Sequence, residues 1–203
     1  MLLPLSILGI FLSVILLYFH SRKFASSIYL GGFFFLISLY CFVQYTLLYS
    51  GSVILVSVFF INIGFLAYLI GPMLYWYVRS ILTDDSRFKK HDLWHFIPMI
   101  LYLAGTLSYV STPWSFKTQV ASRLVENFEN IREFQLEGMF TFLPKVIVYV
   151  SRPIFVLSYT LWSAFIFFRF IICKHESRVF FKQRFMIKWI LMFLGFLTLL
   201  STC

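Results

Sequence analysis

Residues 2–19, LLPLSILGIFLSVILLYF, and residues 28–48, IYLGGFFFLISLYCFVQYTLL, contain no Asp, Glu, Lys or Arg. A helix rises about 1.5 Å per residue and the hydrocarbon of a bilayer is about 30 Å thick, so runs of about 20 apolar residues are what a crossing requires. Arg22 and Lys23 fall in the short link between the two runs. Similar runs follow at residues 53–78, 93–110 and 144–168, and a last one covers residues 189–203. We therefore read an all-α fold, a polytopic transmembrane helix bundle with six visible spans. No repeat and no Pro/Gly/Ser-rich linker divides it, so residues 1–203 are read as one domain.

Composition supports this reading. Of the 203 residues, 61% are hydrophobic and 12% charged, against about 25% charged in a soluble domain. The 27 Phe side chains exceed what a soluble core of this size would hide, so many are expected to face acyl chains. The first run has no basic stretch before it and no small-residue cleavage site after it, which marks a retained span rather than a signal peptide.

A net charge of +9 raises the question of nucleic acid. The distribution favours the bilayer instead. Twelve of the 17 basic residues lie in the first, third and fifth loops, including Arg22, Arg87, Lys89, Lys90, Lys174 and Lys188. Lys117, Arg123, Arg132, Lys145 and Arg152 remain for the other side. The positive-inside rule then puts the amino terminus outside, and a sixth span carries the chain out again. The 15 residues from Trp189 to Cys203 rise only about 22 Å, so this span reads as cut short and the sequence as a piece of a longer chain.

The long outer loop contains Val120, Leu124, Phe128 and Ile131 at spacings of four, four and three, with Arg123, Glu126, Glu129 and Glu133 on other faces. That pattern predicts an amphipathic helix over residues 117–137, resting on headgroups or acting as a lid. Polar groups within spans are costly and mark candidate sites. Gln44 and Arg152, with Phe128 and Ile131 of the lid, form a candidate outer ligand site. Asn62, and Gln44 where it binds no ligand, are expected to form interhelical hydrogen bonds. Arg152, close to the outer edge of its span, is expected to snorkel outward or to bind an anion at a cavity mouth. Ser57, Gly64 and Gly71 recur every seven residues on one span, and Ser151 and Ser158 repeat that interval on another, which predicts close helix contacts. Pro72 predicts a kink.

Enzymatic chemistry has no support in the sequence. There is no Ser/His/Asp set, no pair of carboxylates within the membrane, no glycine-rich phosphate loop and no cofactor box. His91 and His95 are four apart, but H-D-L-W-H lacks the Glu of a zincin motif, and they are read as interfacial residues. Cys41, Cys173 and Cys203 lie far apart without metal-ligand spacing. No metal and no cofactor is expected.

The stretch Gly71-Pro-Met-Leu-Tyr-Trp-Tyr-Val-Arg-Ser80, followed by Asp84-Asp85, Lys89-Lys90 and Leu93-Trp-His-Phe-Ile-Pro98, resembles the membrane-bound AraC-type regulators of bacteria. The resemblance implies a seven-helix membrane domain in the bacterial cytoplasmic membrane, joined to a cytoplasmic helix-turn-helix domain. It further implies a small-molecule or envelope signal, and pairing of two copies through that cytoplasmic domain. No direct nucleic acid contact is expected from these residues, whose partner is the lipid bilayer. Two other readings are a transporter or permease fragment, which needs broken helices and polar groups converging at the midplane, and the membrane part of a sensor kinase.

Overall fold

Leu5, Leu8 and Phe11 are 62%, 66% and 65% exposed, an apolar face suited to acyl chains rather than water. They belong to α1 (Leu2–Ile15) in a computed structural model that describes residues 2–20, 24–126 and 145–174. Every regular element among the described residues is helical. Among the described residues four stretches are long and apolar enough to cross a membrane: Leu2–His20, Ser26–Leu48, Gly64–Thr83 and Val150–Phe170.

α1 runs into a π-turn, Leu16–His20, and packs along α2 (Ser26–Leu48). The buried residues of α1 are both serines, Ser6 and Ser13. Ser13 donates to the Gly31 carbonyl at 3.0 Å and Ser6 to that of Leu3 at 2.8 Å, so neither hydroxyl is stranded. Gly9 lies so close to the Ser38 side chain that a Cβ would not fit.

The centre of the bundle is Gly64–Thr83, 72% buried against 11%, 28% and 17% for the other three stretches. It consists of a 3₁₀ segment, Gly64–Leu69, leading into α4 (Ile70–Thr83). Leu74 and Val78 of α4 meet Phe33 and Leu36 of α2 and Phe167 of α8 (Lys145–Lys174) in the main apolar core. Because lipid is as apolar as these side chains, what holds them together is close van der Waals packing rather than removal from water.

The expected continuous span over 53–78 is corrected. α3 (Val53–Phe59) stops at Phe60, whose backbone is extended. Ile61 follows with φ 61°, a left-handed conformation that a β-branched residue adopts at a cost of about 1–3 kcal/mol. Asn62 is not interhelical. Its amide donates back to the carbonyls of Ser57 (3.0 Å) and Val58 (3.1 Å), which the break would leave bare. Pro72 lies in the first turn of α4, where 3₁₀ pairing gives way to α pairing; its missing N–H coincides with that switch.

The predicted span over 93–110 is likewise divided. A 3₁₀ turn, Lys90–Phe96, precedes α5 (Ile97–Gly105) and α6 (Leu107–Val110). The predicted amphipathic helix is described in part, as α7 (Trp114–Glu126). It buries Val120, Ala121 and Leu124 against Val56 and Phe60 of α3, Ile61, and Tyr109 of α6, in a second apolar cluster. Lys117 donates to the Val110 carbonyl at 2.8 Å and holds the start of α7 in place. The remainder of that predicted helix and the run at 189–203 lie outside the described residues.

Candidate functional site

The 71–98 stretch folds as one unit around a buried ion pair. α4 ends at Asp84, which turns the chain with φ 52°, and the Lys90–Phe96 turn brings Asp92 back beneath Arg79. Asp92 is fully buried and the Arg79 side chain is 9% exposed. Arg79 grips the carboxylate with both terminal nitrogens: Nη1 bonds Oδ1, and Nη2 donates to Oδ2 at 2.9 Å. Nη2 also donates to the Arg87 carbonyl at 3.2 Å, and the Lys89 N–H donates to Asp92 Oδ2 at 2.7 Å. Such a two-pronged, charge-assisted arrangement fixes the turn against the helix.

Burial on its own would raise the Asp92 carboxyl; the hydrogen bonds from Arg79 and the Lys89 N–H, with the Arg79 charge, outweigh it and hold Asp92 below its ordinary value. A carboxyl depressed in the fold contributes stability that is complete above its unfolded value, about 3.9. That contribution is lost as pH falls through the lower folded value. In detergent, the melting temperature should therefore fall as pH drops below about 4, and Asp92→Asn should flatten that part of the profile.

Arg79 lies over the Tyr75 ring, and further aromatic rings pack around the same turn. Trp76 touches Tyr29, Phe88, His95 and Phe96, with centroids 5.4–5.9 Å apart. The Tyr29 hydroxyl donates to the Ser86 carbonyl at 2.7 Å, tying α2 to the same turn. His95 Nδ1 shares a hydrogen bond with the Tyr159 hydroxyl of α8. Gly71 lies against Tyr159: a Cβ there would meet the Tyr159 Cγ at 2.8 Å and its Cβ at 2.9 Å. The absent side chain is what lets α8 lie against α4 at this point.

Between α4, the Lys90–Phe96 turn and α8 is a partly open cavity of about 500 Å³, lined by Tyr75, His91, His95, Ser158, Tyr159 and Trp162. Ser158, predicted as a helix contact, is exposed at this cavity and bonds only back to the Ile154 carbonyl at 2.8 Å.

No protein-family model, curated protein or solved structure matches the chain.

The predicted small residues divide between partners. Ser57 is buried at the contact of α3 with α7, and its hydroxyl bonds the carbonyls of Val53 (2.7 Å) and Lys117 (3.4 Å). Gly64 lies against Tyr102 of α5 and Arg152 of α8; a Cβ would come within 2.5 Å of the Tyr102 hydroxyl and 2.7 Å of Arg152 Nη2. Ser151 pairs with the Tyr68 hydroxyl at 2.7 Å. Ser57, Gly64 and Ser151 each touch a different element, whereas Ser158 faces the cavity.

Arg152 is held inward by α5 rather than by snorkelling alone. Its Nη2 donates to the Tyr102 hydroxyl at 2.7 Å and its guanidinium lies 5.0 Å from the Tyr102 ring centroid. Both contacts gain strength away from water. Gln44 is half-buried on α2, one turn from Leu47, which packs against the α3–α7 cluster. Phe128 and Ile131 lie outside the described residues. Sequence reasoning missed the Arg79–Asp92 pair. An acid three residues after Lys89, at the start of a helical turn in a basic loop, was the available signal, because that is where a side chain reaches back to cap the turn.

Proposed function

We propose that the chain is the membrane sensory domain of a bacterial transcriptional regulator, relaying a small-molecule or envelope signal to a cytoplasmic DNA-binding domain. The observation that supports it is that the stretch resembling the AraC-type membrane regulators is one mechanical unit. Gly71 contacts α8, Arg79 clamps Asp92 in the turn, and His95 bonds Tyr159 of α8. A displacement of α8 would therefore be felt by the turn between α4 and α5. The proposal carries a bundle of six spans with the amino terminus outside and the 84–96 turn on the cytoplasmic face. In it, α7 is the ordered start of an outer lid, and a signal acts through its differential affinity for two arrangements of the bundle.

Reading the gene past codon 203 tests this. One further apolar helix and then a basic helix-turn-helix segment are expected. A stop codon, a kinase module or six more spans would overturn the reading. Orientation has its own check: reporters fused at Ser26 and Asp85 should signal from the cytoplasm and one at Ser50 from outside. A periplasmic signal from Asp85 would reverse the topology.

The break at Phe60–Ile63 specifically favours a second reading, a transporter, because discontinuous helices there line substrate paths. Single cysteines at Ile61 and Asn62 separate the two. Labelling by an impermeant thiol reagent from either side of the membrane, switching with substrate, would belong to a transporter; the regulator reading expects labelling from one side at most.

A further inference from the structure

The cavity beside the Arg79–Asp92 pair is walled largely by rings. Its volume of about 500 Å³ is that of a small-molecule site, typically about 300–1,000 Å³. Tyr75, His95 and Tyr159 contact one another with centroids 5.1–6.4 Å apart, and Trp162, on α8 with Tyr159, extends the same wall. The hydroxyls and charges around the cavity are already engaged. Tyr75 is hydrogen-bonded to Arg79, Tyr159 to His95 Nδ1, and Ser158 to the Ile154 carbonyl. Arg79 and Asp92 neutralise each other, and His91 Nε2 lies 3.6 Å from the Asp92 carboxylate. What the cavity offers an incoming molecule is ring surface and ring nitrogens. A charged ligand would lose its hydration there without compensation. On α8, Leu161, Trp162 and Phe165 are all 55–56% exposed, so the partly open cavity is entered from the apolar face of that helix.

Entry from lipid narrows the occupant further. Acyl chains are as apolar as the wall, so a chain that left the bilayer for the cavity would gain no hydrophobic free energy. A ring would gain edge-to-face and offset contacts with Tyr75, Tyr159 and Trp162, attractions that the surrounding alkyl groups cannot supply. We propose that this cavity binds an uncharged, lipophilic aromatic molecule that partitions from the bilayer and seats its ring among Tyr75, Tyr159 and Trp162. The assignment does not rest on the regulatory reading, because its test reads binding and not transcription.

Bromine quenches indole fluorescence on contact, which makes bromonaphthalene the probe for the whole chain in phosphatidylcholine nanodiscs. The expected result is saturable quenching that disappears in Trp162→Phe, a change that keeps a ring on the wall and removes the reporter. Ser158→Leu should weaken binding about tenfold by placing an alkyl group in the cavity. Ser158 is exposed and its hydroxyl bonds within α8, so this variant should melt with the parent and act on the site alone. Two relatives of the probe define the ligand class. Bromodecane has the bromine without the ring, and bromonaphthoate has the ring with a charge; at equal mole fraction in the membrane each should bind about tenfold more weakly. Equal affinity for bromodecane would overturn the proposal by making the cavity a seat for an acyl chain, and equal or higher affinity for bromonaphthoate would make it an anion site. Quenching that does not saturate, that survives Trp162→Phe, or that is unchanged in Ser158→Leu would also overturn it.

Discussion

Asp92→Ala is expected to destabilise the protein by about 3–5 kcal/mol, because it leaves Arg79 charged, enclosed and without its carboxylate. Arg79 is 9% exposed at its side chain and Asp92 is wholly buried, so water cannot take over the lost contact. The second charge pair in the same turn is the internal control. Asp85 and Lys89 approach to 3.5 Å with side chains 38% and 42% exposed, where solvent screens the attraction, and Asp85→Ala should change little. The double variant Arg79→Met/Asp92→Ala should recover part of the loss, since no uncompensated charge then remains. Thermal unfolding in detergent, followed by loss of monodisperse protein, reads all three. A fall for Asp92→Ala no larger than for Asp85→Ala would mean that the pair does not secure the turn.

Gly71→Leu should be the other severe change, costing about 3 kcal/mol or more, at the upper end of overpacking effects. The atoms that would meet its Cβ are the Cβ and Cγ of Tyr159, next to the α8 backbone, so relief requires the whole helix to move. Gly64→Leu meets the ends of two long side chains, Tyr102 and Arg152, which swing aside more readily but give up their mutual hydrogen bond. Its cost should be smaller, about 1–3 kcal/mol. The same order is expected in the yield of folded protein after membrane extraction. Equal, unchanged yields would place both glycines away from the helix contacts.

Apolarity by itself made the runs at 2–19, 28–48 and 144–168 legible as the helices Leu2–His20, Ser26–Leu48 and Val150–Phe170, because an apolar run of bilayer length has few other uses. It concealed the break in the run at 53–78. Nothing in Val53–Tyr68 carries a proline or a glycine at the point of rupture, and Ile61 is among the residues least suited to a left-handed backbone. Asn62 was visible as an oddity, but its partners are carbonyls of its own segment, which hydropathy does not encode. Arg152 shows the same limit. Counting residues from the membrane edge assigns a depth but no partner, and its partner Tyr102 lies fifty positions away. The heptad of small residues was informative where a large side chain faces it, as at Gly71 with Tyr159, and uninformative at Ser158, where the opposing space is a cavity.

The contact between α1 and α2 bears on how the chain enters the membrane. α1 packs on α2, with Gly9 against Ser38 and Ser13 against the Gly31 carbonyl. Every one of those residues has been synthesised before α4 begins. The first two helices can accordingly leave the insertion machinery as a finished hairpin, with its serine hydroxyls already bonded to backbone carbonyls. The helices made later, α4 among them, should then pack against a pair that is already in place.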